Sequence, residues 1–131
     1  MERVKIFFDG GTFCNRICFY DNKSGKVKMK SIPEDKTNNE LEYLALISAI
    51  KYAKYEYKDE KVIEFIGDSR LIIGQVWSGW KVNHDHLLTL KEEVQRQRQE
   101  CNFTCIGTWV RRDVNKAGIY LENLKRGKDT I

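Results

Sequence analysis

The spacing of the apolar residues changes once along this 131-residue chain, and the change restricts the folds available to it. Residues 3–32 carry short apolar runs separated by turn-forming residues, among them Gly10 and the segment 22–25. From residue 39 onward, apolar residues recur every three or four positions, as they do on one face of a helix. Three strands joined by short turns, followed by alternating helices and strands, predict an α/β fold.

The same spacing gives the individual elements. We predict strands at residues 3–9, 13–20, 26–32, 61–66 and 102–110, and helices at residues 39–57, 70–77, 86–99 and 115–124. Strands joined by short turns pair antiparallel, whereas strands joined through a helix pair parallel. The expected architecture is a mixed five-stranded sheet, with three antiparallel and two parallel strands and flanking helices, in a single domain over residues 1–131.

Composition excludes several classes of protein. No apolar run approaches the ~20 residues that a membrane helix needs, so no membrane association is expected. The N-terminus shows no signal-peptide core, which predicts a cytoplasmic protein. A net charge of +4 permits contact with nucleic acid without requiring it. Two C-x3-C pairs are spaced in a way that favours reduced core thiols over a zinc site. They are Cys14 with Cys18 and Cys101 with Cys105.

Three acidic residues stand where their elements can bring them together. Asp9 ends the first predicted strand and Asp68 follows the fourth, so parallel pairing would place both at the ligand-binding edge of the sheet. Glu42 lies one turn into the long helix, and helical side chains point back toward the helix start. Clustered carboxylates suit Mg²⁺ or Mn²⁺, and two such ions can activate water against a phosphodiester. The alternative is that each acid only caps a turn or a helix.

Four segments support a more specific interpretation. They are FFDGGT at 7–12, TNNELEYLAL at 37–46, IGDSRLIIGQV at 66–76 and WVRRDVNKAGIYLE at 109–122. In this order and spacing the chain resembles the type I ribonuclease H family over nearly its whole length, and that family has the sheet predicted above. The resemblance implies a metal-dependent endoribonuclease that hydrolyses the RNA strand of RNA–DNA hybrids by a two-metal-ion mechanism, leaving 5′-phosphate and 3′-hydroxyl ends.

The resemblance also implies roles for individual residues. Asp9, Glu42 and Asp68 match the catalytic metal ligands of the family, with the backbone of Gly10 as a further metal contact. The positions that match substrate contacts are Gly10, Gly11, Thr37, Asn38, Asn39, Ser69, Arg70, Trp77 and Trp80. The paired asparagines resemble readers of the minor groove, where the ribose 2′-hydroxyl distinguishes RNA from DNA. Two alternatives need no substrate: the asparagines as helix caps, and the tryptophans as core residues.

One departure concerns the last acid of the family. It stands four residues after the asparagine of the final motif, but Asn115 is followed by Lys-Ala-Gly-Ile. Glu122 comes four residues after Gly118 and therefore shares its helix face, and glycine has no side chain in the way. We expect Glu122 to be the fourth catalytic carboxylate and metal ligand, with Asp113, or no fourth acid, as the alternatives.

Two other functions stay open on the sequence alone. The chain could be a non-catalytic domain that binds hybrids or double-stranded RNA, or a related DNA nuclease such as a junction resolvase or transposase domain, because fold alone does not fix function. The asparagine pair after Thr37 favours a hybrid. The expected partner is therefore an RNA–DNA hybrid duplex, without an obligate protein partner. The expected cofactors are two Mg²⁺ ions per active site, with Mn²⁺ as a substitute.

Overall fold

The elements of the chain were obtained from a computed structural model that describes residues 3–13 and 15–125. Within these residues the strands are β1 (Val4–Gly11), β2 (Arg16–Asp21), β3 (Val27–Ser31), β4 (Val62–Gly67) and β5 (Thr104–Trp109). The helices are α1 (Asn38–Glu56), α2 (Arg70–Trp77), α3 (Asp85–Gln99) and α4 (Lys116–Lys125), and a 3-10 turn at Arg112–Val114 precedes α4. The order of strands and helices is the predicted one.

The five strands form one sheet in the order β3-β2-β1-β4-β5. The pairs β1–β2 and β2–β3 are antiparallel, whereas β1–β4 and β4–β5 are parallel. This arrangement confirms the mixed sheet expected from the sequence. It places β1, the strand that carries Asp9, in the middle of the sheet between an antiparallel and a parallel neighbour.

Strand β1 is buried on both faces of the sheet, which explains its nearly continuous apolar sequence. Ile6 and Phe8 face the main core, which α1 covers with residues such as Leu46. Phe7 faces the opposite side, where it belongs to a smaller cluster with Leu121 of α4. The residues that follow this apolar run therefore emerge between α1 and α4.

The glycine pair at the end of β1 lies within the strand rather than in a turn, in contrast to the prediction. β1 continues through Gly11, and β2 begins at Arg16 instead of residue 13. A Cβ atom on Gly10 would lie 2.5 Å from the carbonyl carbon of Leu41, so only glycine lets α1 approach this closely. The turn itself contains Asn15, whose φ of 51° is a left-handed conformation that asparagine tolerates.

The N-terminus of α1 is capped by residues other than the two asparagines. Thr37 is the N-cap residue, and its hydroxyl accepts the backbone N–H of Glu40 at 3.2 Å. The Glu40 carboxylate accepts the backbone N–H of Thr37 at 2.8 Å in return, which completes a capping box. Asn38 and Asn39 are the first two helical residues, so the interpretation of these asparagines as helix caps is wrong.

Three cysteines lie within the described residues, and all three are free thiols. Burial raises the pKa of both Cys18 and Cys105 to about 12, which keeps them protonated and unreactive. Cys101 is half-buried, and its thiol donates to the carbonyl oxygen of Gln97 at 3.2 Å. Cys14 lies outside the described residues. No helix in the described part of the chain is long and apolar enough to cross a membrane.

Candidate active site

The parallel register of β1 and β4 brings Asp9 and Asp68 to the same edge of the sheet. The last paired positions are Phe7 and Ile66, and each aspartate comes two residues later along its strand direction. Residues two apart in extended chains share a face, so the two carboxylates lie beside each other at the carboxyl end of the strands. Asp9 is buried, with 8% of its surface exposed, and Asp68 is half-buried.

Glu42 completes the cluster from α1. It is buried, and the close approach of α1 to Gly10 places it against the end of β1. One carboxylate oxygen from each of Asp9, Glu42 and Asp68 lies within 4.8 Å of the others. Among the described residues this is the single group of three or more acids, histidines or cysteines close enough to share a metal ion. The predicted convergence of the three acids is therefore present.

Burial raises the pKa of all three acids, and the charge of neighbouring acids adds to the rise for Asp9 and Glu42. Burial, followed by the charge of Asp68, raises the pKa of Asp9 to about 7. Burial and the charges of both aspartates raise the pKa of Glu42 well above its ordinary value. Burial also raises the pKa of Asp68, against the opposing effects of a hydrogen bond from Asn115 and the charge of Arg112. Without a cation, Asp9 therefore keeps its proton up to about pH 7, and the other two carboxyl groups keep theirs to a higher pH than isolated acids do.

A cavity of about 320 Å³ opens above the three acids. Its other walls include Gly10 and Gly11 of β1, Asn38 of α1, Arg112, and Gly118 and Glu122 of α4. Glu42 Oε1 is buried here without a hydrogen-bond partner. Buried polar atoms are rarely left unpaired, so this oxygen marks a place where a further group completes the structure.

Gly118, near the start of α4, faces the acids. A Cβ atom on Gly118 would lie 3.0 Å from Asp9 Oδ2 and 3.6 Å from Asp68 Oδ2. Glu122, one turn later, is half-buried and lines the same cavity. Asp113 is exposed instead, and it forms an ion pair of 3.3 Å with Arg111. Of the two candidates for a fourth carboxylate, Glu122 is the one that reaches the cavity wall.

The residues predicted to contact substrate fall into two groups. Asn38 is exposed at the cavity, and half-buried Asn39 follows it. Neither side chain has a hydrogen-bond partner among the described residues, so both amides can bind a ligand. Thr37 is exposed beside them, although its hydroxyl is already used in the capping box.

The second group lies around α2. Ser69 is the N-cap of α2, and its hydroxyl accepts the backbone N–H of Ile72 at 3.2 Å. The Arg70 guanidinium lies 4.0 Å from the centre of the Trp109 ring, which fixes an exposed cation beside Asp68. Trp109 in turn donates its indole N–H to the carbonyl oxygen of Asp68 at 3.1 Å.

The two predicted tryptophans have different surroundings. The indole N–H of Trp77 donates to the carbonyl oxygen of Cys105 at 3.0 Å, and the ring packs directly on Gly107 of β5. The structure does not bring Trp77 to the acidic cavity. Trp80 is 48% exposed and lies over Gly74, beside a shallow groove that Arg70 also lines.

Asn115 organises the site, although no such role was expected for it from the sequence. It is fully buried, and its amide nitrogen donates to the carbonyl oxygen of Phe8 at 3.0 Å and to Asp68 Oδ2 at 3.1 Å. Its side-chain oxygen accepts the backbone N–H of Ala117 at 3.2 Å. An asparagine directly before a helix is a signal for an N-terminal cap, and that signal was present in the sequence.

This mixed sheet, with an acidic cluster at the carboxyl edge of its two central parallel strands, defines a ribonuclease H-like protein. The sequence profile of the family described as reverse transcriptase-like matches residues 20–123. The chain belongs to this family, and it is a compact type I ribonuclease H. No curated protein sequence matches the chain.

Solved structures show the same fold over almost the whole chain. Ribonuclease H1 from the halophilic archaeon Halobacterium salinarum is 26% identical, with a TM-score of 0.75 over 95% of this chain and 99% of that one. The N-terminal ribonuclease H domain of Rv2228c from Mycobacterium tuberculosis is 26% identical, with a TM-score of 0.71 over 88% and 92%. LC11 ribonuclease H1 in complex with an RNA/DNA hybrid is 22% identical, with a TM-score of 0.74 over 87% and 89%.

Proposed function

We propose that this chain is a magnesium-dependent endoribonuclease that hydrolyses the RNA strand of RNA–DNA hybrids with two metal ions. The observation that carries the proposal is the unpaired Glu42 Oε1 inside a cluster of three carboxylates. Burying an unpaired carboxylate oxygen is costly, and a bound cation removes that cost. An all-oxygen set of ligands without thiolate suits Mg²⁺, and Mn²⁺ accepts the same ligands.

Asp9, Glu42 and Asp68 would hold the metal ions, with the backbone of Gly10 beside them. When bound, such ions supply a nucleophilic water at neutral pH and neutralise charge on the phosphodiester. Two divalent ions carry four positive charges, whereas the three acids supply three negative ones. Glu122 on the cavity wall would supply the fourth. The protein otherwise contributes a rigid frame, in which Asn115 orients Asp68 and Gly10 lets α1 press Glu42 against β1.

The exposed amides at the start of α1 support an RNA–DNA hybrid as the substrate. Asn38 and Asn39 stand next to the acids with unused donors and acceptors, which suits contacts to 2′-hydroxyls and base edges in a wide minor groove. The groove lined by Arg70 and Trp80 offers a cation and an aromatic face for the DNA strand. LC11, a protein of the same fold, has been solved with a hybrid bound.

One observation favours a second candidate function. Gly118 occupies the position that faces Asp9 and Asp68, so the cavity lacks an acid at the start of α4. A domain that binds hybrids or double-stranded RNA without cutting them would have no need of that acid. The same domain would still use the asparagines and the Arg70 groove.

A cleavage assay separates these functions. Labelled RNA–DNA hybrid, RNA duplex and DNA duplex are each incubated with Mg²⁺, Mn²⁺ or EDTA, using the wild-type protein and the Asp68→Asn variant. The proposal expects the RNA of the hybrid to be cut with either metal, with 5′-phosphate ends, and not in EDTA or by the variant. Binding without cutting would support the second candidate, and cutting of the DNA duplex would support a DNA nuclease.

We also propose a cytoplasmic location. The supporting observation is that Cys18, Cys101 and Cys105 are free thiols, as the cysteines of proteins in reducing compartments usually are. Fractionation of the native cells, with an antibody against the chain, tests this location, and recovery outside the cytoplasmic fraction would contradict it.

A further inference from the structure

Three lysines form a row along β3, the strand at one edge of the sheet. Lys26 directly precedes this strand, and Lys28 and Lys30 lie within it. Residues two apart in a strand share a face, so the three side chains project from the same face of the sheet. It is the face that α1 covers, because the ammonium group of Lys26 lies 5.6 Å from the centre of the Tyr52 ring. These three residues are called the β3 lysine row below.

The charges of the β3 lysine row have no acidic partner in direct contact. All three lysines are exposed, and within residues 3–13 and 15–125 none of them forms an ion pair. Lys23 in the same hairpin is instead paired with Glu60 at 3.4 Å. The alternate residues of the strand, Val27 and Met29, pack against the apolar cluster on the other face. The strand is therefore anchored on one face and offers three positive charges on the other.

The register of the sheet relates the β3 lysine row to the acidic cavity. Lys30 is paired with Ile17 of β2, and Ile17 is paired with Gly10 of β1. The backbone of Lys30 therefore lies two strand spacings, roughly 10 Å, from Gly10 on the cavity wall. Lys28 and then Lys26 follow in steps of roughly 7 Å, each farther from the acidic edge. The row thus leads away from the acids down the side of the protein.

An exposed aromatic ring lies on the helix surface next to the row. Tyr55 is 76% exposed. It comes three residues after Tyr52 on α1, so the two side chains are neighbours on the helix surface. Tyr52 is the residue whose ring contacts Lys26. A ring beside a row of cations is the combination that binds unpaired bases together with the phosphates that join them.

We propose that the β3 lysine row and Tyr55 bind a single-stranded stretch of nucleic acid that continues beyond the end of the hybrid. This inference rests on the proposed function, which places the hybrid at the acidic edge. A single strand suits the surface better than a duplex, because its bases are free to stack on Tyr55. A single strand is also flexible enough to leave the acidic edge and follow β3. Lysines bind phosphate as point charges, so no base preference is expected.

The test compares hybrids with and without a single-stranded tail. A blunt RNA–DNA hybrid is cleaved in Mg²⁺ beside hybrids of the same sequence that carry a tail at each of the four strand ends in turn, and KM is measured for each. Fluorescence anisotropy with labelled oligo(dT) in EDTA, at several salt concentrations, measures binding without cleavage. Thermal unfolding of every variant reports the fold.

Matched variants isolate the row and the ring. The row is changed by Lys28→Gln with Lys30→Gln. The control is Lys5→Gln with Lys61→Gln, which removes the same charge from two exposed lysines at the opposite edge of the sheet. These two share a shallow depression with Asp59, Glu60 and Glu64. For the ring, Tyr55→Ala removes the aromatic face and Tyr55→Phe keeps it.

In wild type, we expect at least one tailed hybrid to have a KM roughly fivefold or more below that of the blunt hybrid. The row variant should lose most of this difference, and the control pair should keep it. Tyr55→Ala should lose part of it and Tyr55→Phe should not. The plot of log affinity for oligo(dT) against log salt should become shallower by about 1.4 in the row variant, at about 0.7 for each lost phosphate contact.

Three results would overturn the inference and leave the proposed function standing. The first is an equal KM for blunt and tailed hybrids in wild type, and the second is an equal effect of the two lysine pairs. The third is displacement of oligo(dT) by a poly-glutamate peptide at the same concentration of charge, which would show that the row binds any polyanion. A wild-type protein that binds oligo(dT) through the row but cuts no hybrid would contradict the proposed function instead.

Discussion

The side-chain amide of Asn115 donates a hydrogen bond of 3.1 Å to Oδ2 of Asp68, across 47 positions of sequence. The same nitrogen also donates to the carbonyl oxygen of Phe8, which lies 107 positions away in β1. One buried side chain thus joins the start of α4 to the ends of both central strands. The position of an acid in the cluster therefore depends on a residue that is itself neutral.

Asn115→Asp should destabilise the protein, because it removes both donors and adds a carboxylate beside Asp68. The expected loss is about 1–3 kcal/mol for unsatisfied buried groups, measured by urea unfolding at pH 7.5 without metal. Asn22→Asp is the control, since Asn22 is exposed, and we expect a change below about 0.5 kcal/mol there. Equal stability of the two variants would show that the Asn115 contacts carry little energy.

The raised pKa of Asp9 makes the stability of the metal-free protein depend on pH. The folded state keeps a proton up to about pH 7, whereas the ordinary pKa of an aspartate is 3.8. The contribution of this group to stability is therefore complete below pH 3.8 and is lost as pH rises through 7. Asp9→Asn removes the effect, so at pH 8 in EDTA the variant should melt several degrees above wild type.

The difference in melting temperature between Asp9→Asn and wild type should shrink as pH falls toward 4, where the wild-type carboxyl is protonated. Added Mg²⁺ should raise the melting temperature of wild type at pH 8 and have little effect on the variant. Thermal unfolding between pH 4 and pH 8 measures both. A gap that is constant with pH would mean that Asp9 does not titrate in this range.

The fourth carboxylate can be assigned by comparing three variants. Glu122→Gln should raise the Mg²⁺ concentration needed for half-maximal cleavage by about tenfold or more, because a charged ligand is lost. Asp113→Asn should have little effect, since Asp113 faces solvent and pairs with Arg111. Adding Gly118→Asp to Glu122→Gln should restore part of the rate, because position 118 faces Asp9 and Asp68.

The recovery at position 118 should be incomplete, since the new Cβ would lie only 3.0 Å from Asp9 Oδ2 and must shift slightly. Magnesium titrations of cleavage rate give all three comparisons. If Asp113→Asn is inactive and Glu122→Gln is not, the turn before α4 completes the site. If neither substitution matters, three acids are sufficient.

The effect of the asparagine pair on cleavage can be distinguished from the effect of the α1 cap on stability. Changing both Asn38 and Asn39 to Ala should slow hybrid cleavage about tenfold or more, at roughly 0.5–1.5 kcal/mol for each lost neutral hydrogen bond. The melting temperature should stay the same or rise slightly, because alanine favours helix and neither asparagine caps it. Kinetics and thermal unfolding of the same sample check both parts.

The control for the asparagine variant is Thr37→Ala, which removes the hydroxyl of the capping box. It should cost about 1 kcal/mol of stability. If the double asparagine variant instead cleaves normally and melts earlier, the two amides support the helix and do not read substrate.

The parts of the fold that follow from local spacing were predictable. The change from short strands to helical spacing gave the order of elements, and the helix between β1 and β4 gave their parallel pairing. Parallel pairing was in turn sufficient to place Asp9 next to Asp68. Each of these inferences needs only the chain direction and the period of the apolar residues.

The features that were missed depend on contacts between distant segments. Gly10 has the sequence signature of a turn, but its actual role is set by the backbone of Leu41 on another element. Trp77 is aromatic and close in sequence to Asp68, which suggested a substrate contact. Its ring packs instead on Gly107 of β5. Asn115 bonds to residues more than forty positions away, and no local sequence pattern reports contacts over such distances.

The capping box of Thr37 and Glu40 has a consequence for how this protein can change over generations. Because Thr37 and Glu40 form this cap, the side chains at positions 38 and 39 are not needed to close the first turn of the helix. If Asn38 and Asn39 contact the nucleic acid as proposed, substitutions there would change the preferred substrate without removing the helix cap. Selection for a new substrate through these two positions would therefore cost the protein little stability.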